Sequence, residues 1–346
     1  MRNSSQSEDV PRAKVRITSA QVALKADVSQ SAVSRAFTPG ASVAPDTRQR
    51  VLEAVRELGY RPNAIARSLI SGRSRMIGLV AAYLDNQYYP VVLERMARAL
   101  QARGHHTLLF ISESGSQDSE LEKLLAYQVD AVVMLSATLS TALAHECLDA
   151  AIPVVLFNRD LPDSPASSVV SDNEAGGMLV AEHLIAGGHH RFAYIAGAED
   201  SSTNRDREAG FLAGLAQAGH TLSHRAVGGY SAQGAIEATL AVMQSEQLPP
   251  DAIFVANDHM AFAVLDTLRG RLGLQVPEDV SVVGFDDVPQ ANWSAYALTT
   301  VAQPTDQLIE ATVDLLFEQL DSGHARSHRR CLPVKLIARE TSRATG

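Results

Sequence analysis

Residues 18–37 read TSAQVALKADVSQSAVSRAF, and the fold of the N-terminal part turns on how this stretch is parsed. Thr18 is placed to begin a helix: its hydroxyl can accept from backbone N–H groups of the first turn, and Gln21 three residues on completes a capping box. Val22 and Ala23 supply an inward face before the chain turns at Ala26-Asp27-Val28. Ser29 is a good N-cap for a second helix. There Val33, Ala36 and Phe37 fall on one face, while Gln30, Ser31, Ser34 and Arg35 lie on the other or at its edge. Two short helices joined by a tight turn form a helix-turn-helix unit, whose second helix enters the major groove of DNA N-terminus first. Short polar side chains early in that helix, followed by an Arg, suit the reading of base edges and phosphates.

Downstream, Asp46 to Leu58 carries an apolar stripe of Val51, Leu52, Val55 and Leu58, with Gly59 placed to end it. This third helix reads as purely structural, closing the small core that holds the first two. Next comes RPNAIARSLISGRS, residues 61–74. Asn63 can cap a short helix over Ala64 to Leu69, and Gly72 ends it. Alone, a helix of this length is marginal in water. That suits a segment that folds on meeting DNA or a second copy of itself; the plain alternative is an ordinary interdomain linker.

Charge separates this module from everything after it. Residues 1–75 hold 13 Lys+Arg against 6 Asp+Glu, a net of +7, whereas the whole chain is −9, leaving −16 on residues 76–346. A short basic module on a long acidic body implies that only the module touches an anionic polymer, since phosphate neutralisation by Lys and Arg is the sequence-independent part of DNA affinity. A disordered basic leader accounts for residues 1–16 but not for 17–70, where the helical patterning is strong. At 346 residues, 46% hydrophobic and 20% charged, the chain has an ordinary globular composition with room for two or three domains. It has no apolar run of the roughly 20 residues a membrane span requires, and MRNSSQSEDVPRAKVR lacks the apolar stretch of a secretory signal. Cys147 and Cys331 are the only cysteines and form no CxxC, which argues against a disulfide framework or zinc module. A cytoplasmic protein is expected.

From Met76 onward, short β-type runs alternate with helical stretches. IGLVAAY precedes a helix near Val91–Arg103, and TLLFI precedes one near Leu121–Tyr127; AVVML, VVLFN, FAYIAG, AIFVAN and VSVVGF follow. Such alternation implies parallel sheets covered on both faces, and about 270 residues of it fit two doubly wound lobes better than one. In such sheets ligands sit beyond the carboxyl ends of strands. Enzyme signatures are missing: the chain contains no GxGxxG, GxxxxGK[ST] or GxSxG. The pairs His105-His106 and His189-His190 lie near Gly and read as solvated turns. His324 and His328 have i, i+4 spacing but sit in GHARSHRR, an exposed polar connection rather than a metal site.

The run TSAQVALKADVSQSAVSRAF, then VRELGYRPNAIARSL, then SRMIGLV resembles the lactose-repressor family of bacterial transcription regulators, and the similarity continues through nearly all of the chain after residue 16. The resemblance implies a fold: an N-terminal all-α helix-turn-helix domain with a hinge helix, then an α/β two-lobed periplasmic-binding-protein-like body of doubly wound parallel sheets. It implies DNA contacts at Thr18, Ser29, Gln30, Ser31, Ser34 and Arg35, and at Asn63, Ala66 and Leu69 of the hinge. In the family, hinge helices of two protomers pair in the minor groove, and Leu69 matches the Leu that wedges open the central base step. Three departures from the family pattern bear on the operator sequence. The usual turn Gly is Asp27, which tolerates a left-handed conformation; the residue before VSR is Ala32 rather than Thr; and Thr38 replaces the Asn that follows the recognition helix.

For the body, the resemblance implies an effector cleft between the lobes lined by Tyr88, Tyr89, Asn158, Arg207, Tyr230, Asn257, Asp258 and Asp286. The chemistry is coherent: Asp and Asn chelate hydroxyl pairs, Arg engages a carboxylate or ring oxygen, and aromatics cover an apolar ring face. Arg207 and Asp286 stand out. The tyrosines could equally be packing residues. Asp258 could be a helix cap, Asp160, Asp172 and Asn173 could be cap and loop residues, and Arg159 is either a contact for an acidic effector or a surface residue.

The expected protein is therefore a ligand-responsive, sequence-specific transcriptional regulator, a repressor that binds a palindromic double-stranded operator as a homodimer. It is not an enzyme, needs no cofactor and has no membrane partner. Its effector belongs to the sugars, sugar acids or nucleosides. The expected domains are a disordered leader at 1–16, the helix-turn-helix domain at 17–60, the hinge helix and linker at 61–74, and the effector-binding and dimerisation domain at 75–346. A dimer rather than a tetramer is expected, because only a few residues follow LPVKLIARETSR, too few for a terminal heptad helix. The rival reading, a solute-binding protein of similar two-lobed fold, predicts a signal peptide and no helix-turn-helix.

Overall fold

Thr18 caps the first helix, α1 (Ser19–Lys25), by the reciprocal bonds of a capping box: its side chain accepts from Gln21 N while the Gln21 side chain accepts from Thr18 N. Ser29 caps α2 (Gln30–Ala36) by accepting from Ala32 N. Between them Asp27 takes the left-handed conformation expected of the missing Gly, at φ 52°. Arg50 of α3 (Pro45–Leu58) steadies that turn, donating from Nη1 to the carbonyls of Ala26 at 3.2 Å and Asp27 at 3.4 Å. Arg48 donates to the carbonyl of Ala36 at the end of α2. Two arginines of the basic module are thus engaged with carbonyls of the module's own turns. Gly59 ends α3 in a left-handed conformation. Val22, Val33 and Val51 are fully buried where the three helices meet, among small Ala23, Ala26, Ala36 and Ala54; each such Val contributes roughly 1.5–3 kcal/mol. Leu52, expected in the α3 stripe, is exposed instead, and Ala54 takes the inward position. The 3.6-residue period places 51, 54, 55 and 58 on one face and turns 52 away from it.

The computed structural model describes residues 17–37, 40–61, 73–82, 84–111, 117–135, 141–161, 164–322 and 327–343. Two compact units meet in the chain between Ser74 and Arg75. The hinge candidates Asn63, Ala66 and Leu69, together with the 1–16 leader and His324, lie outside the described residues.

The second unit is built on two six-stranded sheets. The first contains β1 (Met76–Ala81), β2 (His106–Ile111), β3 (Ala131–Met134), β4 (Val154–Phe157), β5 (Ser167–Ser171) and β11 (Arg329–Leu332), in the order β11-β5-β4-β3-β1-β2, with every pairing parallel. The second contains β6 (Phe192–Ala196), β7 (Leu222–Val227), β8 (Ala252–Val255), β9 (Ser281–Asp286), β10 (Thr299–Ala302) and β12 (Lys335–Ile337), in the order β12-β10-β9-β8-β6-β7. Only β12 runs antiparallel to its neighbour. Strands such as β3, β4, β6 and β8 are buried at every position, as parallel strands covered by helices on both faces must be.

The helices are α4 (Tyr88–Ala102), α5 (Gln117–Ala126), α6 (Thr141–Asp149), α7 (Asn173–Ala186), α8 (Ser202–Gln217), α9 (Ala232–Met243), α10 (Asp258–Asp266) and α11 (Thr305–Ser322). Helix α11 packs on α4, β4 and β5, so it returns to the first lobe, while α7 packs on α8 in the second. The chain therefore crosses between lobes three times: after β5, after β10, and between β11 and β12.

Candidate functional site

On α2 the side chains sort by burial. Val33 and Ala36 face the core, while Ser29, Gln30, Ser31 and Arg35 are exposed and Ser34 is half-buried. Ser29 and Ser31 hydroxyls are hydrogen-bonded at 2.9 Å, and Arg35 Nε reaches back to the carbonyl of Ser31 at 3.4 Å. The first helical turn of α2 thus presents a continuous polar face, with one cation a turn further along. Exposed Thr18 stands at the start of α1.

In the second unit the chemistry gathers at the carboxyl ends of the strands. Arg207 lies on α8, and its position is a packing consequence. A Cβ on Gly177 would overlap the carbonyl of Arg207, and one on Gly210 would overlap that of Glu174, so α7 and α8 cross with their backbones in contact. That crossing lays the Arg207 side chain beside the start of α7, where Nε donates to Asn173 Oδ1 at 2.9 Å. Nη1 donates to the Ala256 carbonyl at 2.6 Å, and Nη2 lies 3.4 Å from Asp286 Oδ1. The guanidinium also stacks 3.7 Å from the centroid of the Phe285 ring.

Asp286 closes β9 at φ 128°, a conformation rarely adopted by L residues. It accepts from Gln303 Nε2 at 2.7 Å, and Gln303 Oε1 accepts from Ser171 Oγ at 2.7 Å. Ser171 ends β5 at the first crossover, and Gln303 lies on the second. Burial raises the Asp286 carboxyl from 3.8 to about 6, working against Arg207 and Gln303, which favour its charge. A cavity of about 650 Å³ opens beside the network, walled by Tyr88, Arg95, Asp286, Gln303, Thr305 and Val334 among others.

The remaining candidates divide between positions around the Arg207–Asp286 network and purely structural ones. Tyr89 is half-buried and within the electrostatic reach of Asp286, Tyr230, Arg207 and Arg159, which places it among them. Tyr88 is buried and meets it edge to face. Asn158 follows β4 at φ 53°, with its buried Oδ1 accepting no hydrogen bond among the described residues. Arg159 is buried rather than a surface residue, and desolvation brings its guanidinium down to about 10. Tyr230 sits at φ 58°, its hydroxyl bonded to those of Thr203 at 2.9 Å and Ser201 at 3.3 Å.

Asn257 is the N-cap of α10, accepting from Met260 N. Asp258 is not a cap; its carboxylate is wholly buried, one oxygen accepting from Thr300 Oγ1 and the other from Val288 N. Asp172 caps α7 and Asp160 pairs with Arg329, whereas Asn173 belongs to the Arg207 network. His189, expected in a solvated turn, is buried with its Nδ1 3.5 Å from Asp251, and the His105 ring packs on Phe317. Residue patterning missed Gln303 and Ser171. Neither follows an apolar run in a way that marks it, although Gln303 stands before Pro304, a common sign that an element has ended.

Among the described residues no helix is long and apolar enough to cross a membrane, and no group of three His, Cys, Asp or Glu side chains is placed to hold a metal ion.

Comparison with known proteins identifies both units. Residues 20–63 match the family described as bacterial regulatory proteins, lacI family, and residues 181–342 match the periplasmic binding protein-like domain. The chain is 31% identical to the HTH-type transcriptional regulator AscG of Escherichia coli, over 94% of this chain and 98% of that one. It is 33% identical to the HTH-type transcriptional regulator CelR of Thermobifida fusca, again over 94% and 98%. Among solved structures, the lac repressor dimer bound to operator and the anti-inducer ONPF superposes with a TM-score of 0.85 at 28% identity, covering 95% of this chain and all of that one. A CelR–cellobiose complex superposes with a TM-score of 0.72 at 30% identity, over 94% of this chain and all of that one. With the helix-turn-helix unit, the two-lobed body and full-length relatives in agreement, the chain belongs to the lacI family of bacterial regulatory proteins and is a transcriptional regulator.

Proposed function

We propose that this regulator is a cytoplasmic, effector-responsive repressor that binds a palindromic operator as a homodimer. The observation that carries the effector reading is the buried Arg207–Asp286 pair, held between two inter-lobe crossovers by Asn173 and Gln303. A ligand that engages this pair touches groups tied to both lobes, so its binding energy differs between their arrangements, as an allosteric effector requires. Asp286, Asn158 and the two buried arginines offer acceptors and donors for neighbouring hydroxyls, and Tyr89 and Tyr230 offer ring faces. We therefore assign the effector to hydroxyl-rich rings, with sugars first and sugar acids and nucleosides next. The relative solved in complex with cellobiose supports that order. Operator contact is assigned to Gln30, Ser31, Ser34 and Arg35 with Thr18 and Ser29 at the helix starts, and, by family resemblance, to Asn63, Ala66 and Leu69.

A thermal-shift screen of sugars, sugar acids and nucleosides tests the assignment, because a ligand at 100 times its Kd adds about 2.7 kcal/mol of stability. A ligand found this way should also shift affinity for the operator in the full-length protein. A screen in which only unrelated apolar compounds stabilise the protein would sink the hydroxyl-ring reading.

A further inference from the structure

His259 and Gln87 lie 172 positions apart in the chain and belong to different lobes. His259 is the second residue of α10, beyond the carboxyl end of β8 in the second sheet; Gln87 immediately precedes α4, beyond β1 in the first. The imidazole Nδ1 donates to Gln87 Oε1 at 3.0 Å, and Asp85 Oδ2 stands 3.8 Å from Nε2. The residue is 8% exposed. Burial lowers its proton affinity while Asp85 acts in the opposite sense, so at neutral pH the bond joins two neutral groups. Gln87 makes no side-chain capping bond to α4, which leaves its amide free of a local structural duty.

The bond joins two segments that carry effector-site candidates, one on each lobe. Tyr88 and Tyr89 follow Gln87 directly, and Asn257 and Asp258 precede His259. It lies off the three crossovers: no covalent path short of them links residues 84–87 to α10. Rotation of one lobe against the other about the crossovers must therefore change its length, and a hydrogen bond tolerates little stretching.

We infer that His259 and Gln87 form a clasp across the inter-lobe cleft that sets the balance of closed and open forms before any ligand arrives. The consequence for ligand affinity rests on the effector reading above; the clasp itself does not. A ligand that binds one form is weakened in proportion to that form's population, so the clasp tunes affinity without touching the ligand. Loss of one such bond shifts a two-state balance by roughly 2- to 12-fold.

The test measures inter-lobe distance with no ligand present. Spin labels at Gln101→Cys on α4 and Ala241→Cys on α9, both exposed, are introduced with Cys331→Ser into the full-length chain. The labelled chain is diluted in excess unlabelled chain so that label pairs fall within one molecule, and distances are read by double electron–electron resonance. Gln87→Ala and His259→Ala should each raise the population of longer distances roughly 2- to 12-fold over the otherwise wild-type labelled chain, and the double variant should go no further than either single one. Gln87→Ala keeps the test decisive if His259→Ala fails to fold. A distance distribution unchanged in folded Gln87→Ala, or effects that add in the double variant, overturns the clasp. Because no effector is added, a failed ligand screen leaves this result standing, and a failed clasp leaves the effector assignment standing.

Discussion

Arg207 Nη2 lies 3.4 Å from Asp286 Oδ1, with both side chains buried to within 5% of full exclusion from solvent. Such a pair is costly to bury and is held here by further hydrogen bonds from residues on or beside two crossovers. Removing the charge while keeping the shape is the informative change. Asp286→Asn should abolish the effector-dependent shift in operator affinity, which for coupling of about 1–3 kcal/mol is a factor of roughly 5 to 150 in the wild type. Fluorescence anisotropy on labelled operator, with and without the effector, measures it. A normal response in this variant would make Asp286 a structural residue.

The same carboxyl predicts a pH dependence with a definite sign. Its folded value is about 6 against 3.8 without burial, so between those values the folded protein holds a proton that the unfolded chain has released. Stability from this group is present below about pH 4 and is lost as pH rises towards 6, with a slope of at most about 1.4 kcal/mol per pH unit. Effector affinity moves the other way, rising through pH 6 as the carboxylate forms. Urea midpoints across this range, compared between wild type and Asp286→Asn, isolate the group because all other titrations are shared. An identical pH slope in both proteins would contradict it.

The parts legible in the residue pattern were those set by local chemistry. The Thr18–Gln21 box, the Ser29 cap and the left-handed Asp27 each depend on neighbours within four positions, and sequence shows these directly. Strands such as β4 and β8 are short apolar runs with turn residues at both ends. Strand β11, by contrast, has the alternating burial of a sheet edge and reads RRCL, which carries no apolar run. Gln303 and Ser171 matter because β10 and β5 end near each other across 132 positions, a tertiary fact that no window of residues contains. His189 departs from its local pattern for a related reason: its Gly-rich setting signals a turn, but that turn is tucked beneath Asp251 of a distant loop.

On the proposed DNA-reading face, Arg35 is the exposed cation of α2, with Gln30 and Ser31 a turn before it. Arg35→Ala should weaken operator binding while leaving the melting temperature unchanged. If the Arg contacts phosphate, the slope of log affinity against log salt should fall by about 1, uniformly across sequences; if it reads a base, about 1–3 kcal/mol should be lost at one position only. Gel shifts at several salt concentrations with substituted operators separate these outcomes, and unchanged affinity in all of them would remove α2 from the reading role.

Arg50 carries a different prediction, because its guanidinium is bonded to the turn carbonyls of Ala26 and Asp27. Arg50→Met keeps the aliphatic stem and removes those donors. The helix-turn-helix unit should lose about 1–3 kcal/mol. Asp27→Gly should restore part of that loss by relieving the left-handed position. Hydrogen exchange on the amides of α1 and α2 reports it, and equal protection in Arg50→Met and wild type would count against the turn-clamp role.

Gly197 supports the proposed ligand-stacking Tyr230 through what it lacks. It follows β6, donates from its backbone N–H to Asn204 Oδ1 at 2.7 Å, and lies directly against the Tyr230 ring, where a Cβ would overlap the ring carbons. Tyr230 has little room to yield: its backbone is already left-handed and its hydroxyl is anchored to Thr203 and Ser201. Gly197→Ala should therefore swing the ring off its seat and break both hydroxyl bonds, while the buried strand β6 and the Asn204 bond remain. Effector affinity should fall by about 0.5–1.5 kcal/mol, as for a lost aromatic contact, with little change in operator affinity when no effector is present. Tyr230→Ala should give a similar loss, and combining the two should add almost nothing, since both remove the same wall. Calorimetric titration of the three variants decides the matter: if Gly197→Ala binds effector as tightly as wild type, the ring's resting position does not contribute to the pocket.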